Sequence, residues 1–531
     1  MAEVLGPDLA GTFVEFDDDE LASLIDAFWS YERALVANDV PTLESWFAPG
    51  AATLRTDNAS TLVGADEIAA FRRARQPPPP RVVERLHLRG AGDGAVLVVA
   101  ETARADGSSG AQTQLWVRHV HGWRIVAAHV AAAPAPGAAR LPPGDVRVWR
   151  SHGVTEPIAR PTARGPLDGV RVAVKDLVAV AGQRIGAGVP AWLDAAPVES
   201  RTAPALAALL ASGASAVGLA HTDELAFSLA GATAGYGLVP NPVAPGRLAG
   251  GSSSGPAAAV AASQADLGLG TDTSGSIRVP ASYTGLYGWR PTHGVVPTDG
   301  VLPLAPSFDT VGLLARDAEL LSRAAAVLLP PAPSPAAIDA LLIPLDLIGA
   351  LPDATRVAFH AAARALAGRS GRRLAITSAA VSCSIAEVVT AYRLVQATEA
   401  WAVHGLFVDK HADVMDPGVV GRFRSGRGVS PEHLAQAQGL LARTRAELYE
   451  LLPAGTALLV PSSSTPAPRS DLSAADMDAV RAATFALTCP ASLAGLPAVS
   501  IPRMRVGALP VGLCLVGGRH SDTALLDLAR S

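Results

Sequence analysis

Lysine is nearly absent from this chain: only Lys175 and Lys410 stand among its 43 lysines and arginines. Arginine keeps its proton at any usable pH, whereas a desolvated lysine can lose it. Lys175 ends the apolar run Val170-Arg171-Val172-Ala173-Val174-Lys175. It is therefore a candidate neutral amine able to act as a general base, or else a buried cation paired with Asp176. Cysteine is also scarce, and Cys383, Cys489 and Cys514 are too widely spaced for a disulfide framework or a zinc pattern. A net charge of −5 with 17% charged residues provides no basic field for nucleic acid. Long hydrophobic runs are missing as well. The stretch Leu341–Leu351 is broken by Pro344 and Asp346 and falls short of a membrane span. The acidic N-terminal stretch lacks the charged-then-apolar order of a secretion signal. A soluble, cytoplasmic protein is expected, without nucleic-acid or membrane partners.

The glycine-rich turns lack the trailing lysine-serine of a phosphate loop and the spacing of a dinucleotide site. His119 and His121 lie two apart on an expected hairpin, a spacing that does not read as metal ligation. No cofactor and no metal are expected. A chain of 531 residues is long enough for two domains or more.

The most informative stretch runs from Gly250 to Pro280, GGSSSGPAAAVAASQADLGLGTDTSGSIRVP. A glycine-serine turn leads into an alanine-rich helix, and a second glycine-serine turn closes the stretch. Ser252 and Ser276 are each flanked by glycine, which lets backbone N–H groups converge where side chains would block them. A flexible linker is the alternative for such composition, but the intervening helix argues against it.

Taken together, VAVKD, GGSSSG and GTDTSGSIRVPA occur in the order found in the amidase signature family, which this chain resembles. The likeness continues through GLYGWRPTHG, SFDTVGLLARD, SLAGLPAVSIP and LPVGLCLVGGRHSD, covering roughly residues 150–531. The resemblance implies an α/β fold, a mixed sheet covered by helices on both faces. It implies a Ser-cisSer-Lys triad with Ser276 as nucleophile, Ser252 as bridge and Lys175 as base. The N–H groups of Thr273, Ser274, Gly275 and Ser276 would form the oxyanion hole. The activity implied is hydrolysis of a small amide, a carboxylated urea derivative or an aryl or alkyl amide. An amidotransferase-type subunit that works with partner chains is the alternative. One departure stands out: the glycine usual after Asp-Thr is Ser274 here, a change read as tuning. The helix Ile385–Phe407, with Tyr392, Glu399, Trp401 and His404, is expected to shape the acyl pocket, with His404 structural.

Upstream, Leu21, Leu24, Phe28, Tyr31 and Leu35 recur at helical steps, and a short helix carries Leu43, Trp46 and Phe47. A strand at 53–56, a helix at 65–75 and strands at 95–105, 112–119 and 123–130 complete an α+β order. Residues 21–130 resemble the small NTF2-like, cone-shaped proteins that accompany amidases in cyanuric acid breakdown. That resemblance places Tyr31 and Arg55 in a pocket. Residues 1–20 are expected to be a disordered lead, 21–133 the NTF2-like domain, 134–148 a linker and 149–531 the amidase domain. The upstream domain is read either as an oligomerisation module or as a second site, with the chain a homodimer or higher homo-oligomer.

Overall fold

A computed structural model describes residues 18–57, 61–74, 81–92, 94–104, 109–132, 141–153, 156–331 and 336–531. Residues 1–17 of the expected lead, the proline run 77–80, residue 133 with linker residues 134–140, and residues 332–335 lie outside the described residues. The chain divides into two compact units, Met1–Gly137 and Ala138–Ser531.

In the first unit the helix Asp18–Ala37 starts three residues before the expected Leu21. Its successor Val40–Trp46 is capped by Asp39, whose side chain accepts from the Thr42 N–H, with Pro41 in the first turn where its missing N–H costs nothing. A six-stranded sheet follows, ordered Thr61–Val63, Leu54–Asp57, Gly122–Ala132, Ser109–His119, Ala95–Arg104 and Arg81–Gly90. Val96, Val98 and Ala100 are fully buried at every second position, as a one-sided sheet requires. They meet Leu24, Phe28 and Leu43 of the helices in one core. The strands Thr61–Val63 and Arg81–Gly90 are absent from the sequence reading. In the latter a register shift between Val83 and Arg85 breaks the alternation that would have announced it.

The second unit is built on an eleven-stranded sheet with helices on both faces. From edge to edge it runs Arg373–Thr377, Ala340–Pro344, Thr456–Pro461, Leu509–Gly517, Ala498–Val506, Tyr287–Arg290, Val311–Ala315, Leu267–Thr271, Arg171–Lys175, Ser215–Ala220 and Trp149–His152. The pairing is mixed, as expected. Parallel pairing joins Arg171–Lys175 to both its neighbours, and Ala340–Pro344 to both of its own. The remaining pairings are antiparallel, including the long hairpin of Ala498–Val506 with Leu509–Gly517. Among the described residues, no helix is long and apolar enough to cross a membrane.

Candidate active site

The strands Arg171–Lys175 and Leu267–Thr271 are parallel neighbours, so Lys175 and Thr271 end side by side at their carboxyl ends. Ligand sites of α/β sheets gather at such ends. Lys175 is wholly buried. Its Nζ donates to Ser252 Oγ at 2.8 Å and to Thr271 Oγ1 at 2.7 Å. Asp176 does not pair with it. That carboxylate takes Arg150 Nε at 2.6 Å and the Gly186 N–H at 3.0 Å. Burial pushes the Lys175 amine down to about 7, with the charges of Asp223, Asp272 and Asp309 pulling the other way. An amine in that state can take a proton from the hydroxyl it touches.

Ser252 follows a cis peptide bond from Gly251. Only glycine fits at 251, because a Cβ there would lie 2.2 Å from Asp223 Oδ2. Asp223 is itself pinned by the N–H groups of Ala230 and Gly231 and by Ser254 Oγ. The Ser253 N–H donates to the Ser276 carbonyl at 3.2 Å, bringing the two serine loops together. The helix Ser254–Ala261 is buried at every residue, which its small side chains permit.

The second loop is wound around Asp272. Its carboxylate accepts from the N–H groups of Gly275 at 2.8 Å and Ile277 at 3.1 Å, and pairs with Arg278 and Arg290 at 2.9 and 3.0 Å. All three charged side chains are fully buried. Burial alone would raise the Asp272 carboxyl, but the two guanidiniums outweigh it and hold it well below the usual range. This corrects one expectation. The Gly275 N–H is committed to Asp272, so the N–H groups left for an oxyanion are those of Thr273, Ser274 and Ser276. Gly275 has φ of +126° and serves the turn instead.

Thr273, Ser274 and Ser276 line a cavity of about 610 Å³. Three arginines, Arg393, Arg422 and Arg481, face it against one carboxylate, Asp478. Arg422 donates to the Phe227 carbonyl at 2.7 Å, and burial, then the charge of Arg481, pushes it down to about 10. Arg393 lies 4.7 Å over the Phe485 ring. Sequence reading missed these arginines, along with Thr271 and Gln396. Tyr392 was expected in the pocket wall; its hydroxyl donates to the Thr273 carbonyl at 2.8 Å. His404 contacts the Pro303 carbonyl at 2.7 Å, a structural role. Among the described residues, no group of three or more His, Cys, Asp or Glu could hold a metal ion.

In the first unit, Tyr31 is buried and its hydroxyl accepts from Arg72 at 3.1 Å. Arg55 is also buried, 4.3 Å over the Phe71 ring. Arg72, which sits in FRRAR, was not singled out in the sequence. Glu32, Arg81 and Gln112 form a further buried polar group, with the ion pair at 2.7 Å.

An α/β unit with a buried lysine-and-serine centre beside a cavity is the class that fold and geometry define. The comparisons agree: the Amidase family profile matches residues 153–334, and an AtzH-like profile matches residues 15–135. "Amidase 1" of Oryza sativa subsp. japonica is 35% identical over 394 residues, covering 69% of this chain and 91% of that protein. A glutamyl-tRNA(Gln) amidotransferase chain from Natronomonas pharaonis is 31% identical, covering 70% of this chain and 97% of its own. Among solved structures, Kluyveromyces lactis allophanate hydrolase superposes with a TM-score of 0.61 at 25% identity, over 69% of this chain and 61% of that one. The chain belongs to the amidase family, with an AtzH-like domain at its N-terminal side.

Proposed function

We propose that the chain hydrolyses a small amide bearing a carboxylate, such as a carboxylated urea, through an acyl-enzyme on Ser276. The observation that carries this reading is the buried Lys175 amine, 2.8 Å from Ser252 Oγ, beside the cavity lined by Ser276. Neutral Lys175 takes a proton from Ser252, which takes one from Ser276. The Ser276 oxygen attacks the carbonyl, and the negative charge that develops is met by the N–H groups of Thr273, Ser274 and Ser276. One such donor is worth roughly 3–4 kcal/mol of barrier. Ser252 hands its proton to the leaving nitrogen, ammonia or an amine departs, and water releases the acid.

Charge around the cavity favours the carboxylate. Arg393, Arg422 and Arg481 outnumber Asp478 around the cavity, and an anionic substrate would offset three partly desolvated cations. The test is ammonia release from a panel holding carboxylated ureas, carboxylated amides and neutral aryl amides. Turnover is expected on the carboxylated members and lost in Ser276→Ala; a preference for neutral aryl amides would reject the anionic acyl group. The amidotransferase reading predicts instead activity that depends on added partner chains.

For the AtzH-like domain we favour an assembly role, in which the full chain is a homodimer or higher homo-oligomer. A second reading, a site of its own, is favoured by one observation. Among the described residues, Arg72 Nε and Gln114 Nε2 are buried without a hydrogen-bond partner, beside Tyr31 and Trp116. Loss of a distinct activity in full-length Tyr31→Phe, with amidase turnover intact, would decide for that site.

A further inference from the structure

Ser274 stands in the middle of a chain of hydrogen bonds whose direction is fixed at every link. The Thr273 carbonyl can only accept, so the Tyr392 hydroxyl commits its proton there, at 2.8 Å. Tyr392 Oη must then accept from Ser274 Oγ, 3.0 Å away. With its own proton committed, Ser274 Oγ must accept from Gln396, and it does so from Nε2 at 2.8 Å. Burial drives the Tyr392 phenol well above its ordinary range, so the first proton in the chain is retained.

The consequence falls on Gln396. Its amide nitrogen is held on Ser274, which turns its carbonyl oxygen away from that contact. Among the described residues that oxygen has no protein partner, although the residue is only 3% exposed. Gln396 lines the same cavity as Ser274 and Ser276. A fixed acceptor on the wall of the acyl cavity selects for a donor in the substrate. A site built to hydrogen-bond an N–H discriminates against the analogue that lacks it.

We infer that Gln396 is a specificity-determining residue, accepting an N–H that adjoins the scissile carbonyl in the acyl part of the substrate. Ser274 and Tyr392 are positioning residues that fix the orientation of its carboxamide. A glycine at 274 would leave that carboxamide free to turn. The inference rests on the carboxylated-amide reading above and narrows it from carboxylated amides in general to urea-type ones.

The test uses two isosteric probes and the full-length chain. N-carboxyurea carries an N–H between its carbonyl and its carboxylate, and malonamate carries a CH2 in the same place. The readout is the ratio of kcat/KM on the two probes, compared between variants so that intrinsic reactivity cancels. Gln396→Met keeps length and removes the acceptor, and is expected to shrink the ratio by about tenfold, mainly through KM on N-carboxyurea. Ser274→Ala removes a single oxygen and is expected to shrink the ratio in the same direction by less. Should Gln396→Met fail to fold, the Ser274→Ala ratio carries the test alone. A ratio unchanged in a folded Gln396→Met, or in Ser274→Ala when only that variant folds, overturns the inference. If wild type turns over other amides but neither probe, the carboxylated-amide reading falls and takes this inference with it. If malonamate is hydrolysed and N-carboxyurea is not, this inference alone is overturned.

Discussion

With Lys175 as the proposed base, its protonation state would set the pH dependence of the whole reaction. With its amine pushed down to about 7, roughly 9% is neutral at pH 6 and roughly 91% at pH 8. If the neutral amine is the base, kcat/KM climbs about tenfold between those two pH values and levels off above them. Lys175→Arg keeps the charge and loses the chemistry. With an ordinary arginine value of about 12.5, a neutral fraction on the order of 1 in 30,000 is left at pH 8. The arginine variant is therefore expected to be as inactive as Lys175→Ala. The assay is ammonia release under subsaturating substrate from pH 5.5 to 9, with circular dichroism to show that each variant is folded. A flat profile from pH 6 to 8, or more than a per cent of activity in a folded Lys175→Arg, refutes the reasoning.

Two stability predictions follow from the same buried charges. Between about pH 7 and 10.5 the unfolded chain holds a proton on Lys175 that the folded chain has lost, so the unfolding free energy rises with pH. Relative to Lys175→Met, denaturant titration should find wild type gaining about 1.4 kcal/mol per pH unit in that window, and no change below it. An identical slope in the two proteins would count against a neutral lysine. Asp272→Asn strips the negative charge from between two fully buried guanidiniums, an imbalance expected to cost about 3–5 kcal/mol. A loss below about 1 kcal/mol on denaturant titration would mean that the triad does not hold the loop.

What the sequence made legible was carried by short words. Lys175 is conspicuous because lysine is otherwise almost absent, and Ser252 and Ser276 because glycine flanks each one. The contacts made around them were invisible for a physical reason. Thr271 meets Lys175 across 96 positions, and Tyr392 and Gln396 meet Ser274 across 118 and 122. No local pattern encodes such contacts. The commitment of Gly275 N–H to Asp272 was likewise hidden, since a glycine-serine turn reads the same whichever way its N–H groups point. The strand Arg81–Gly90 was missed because Arg81, Glu84, Arg85 and Arg89 interrupt its apolar positions. In the N-terminal domain, Tyr31 was singled out through a resemblance, but its partner Arg72 came only from the structure.

The most direct test of the central claim is to find which serine carries the acyl group. Enzyme mixed with a slowly hydrolysed activated amide, quenched in acid and digested, should give a single acylated peptide by mass spectrometry. The adduct is expected on Ser276, within Thr273–Arg278, and absent from Ser276→Ala. An adduct on Ser252 would reverse the roles of the two serines, and turnover without any serine adduct would contradict the acyl-enzyme account.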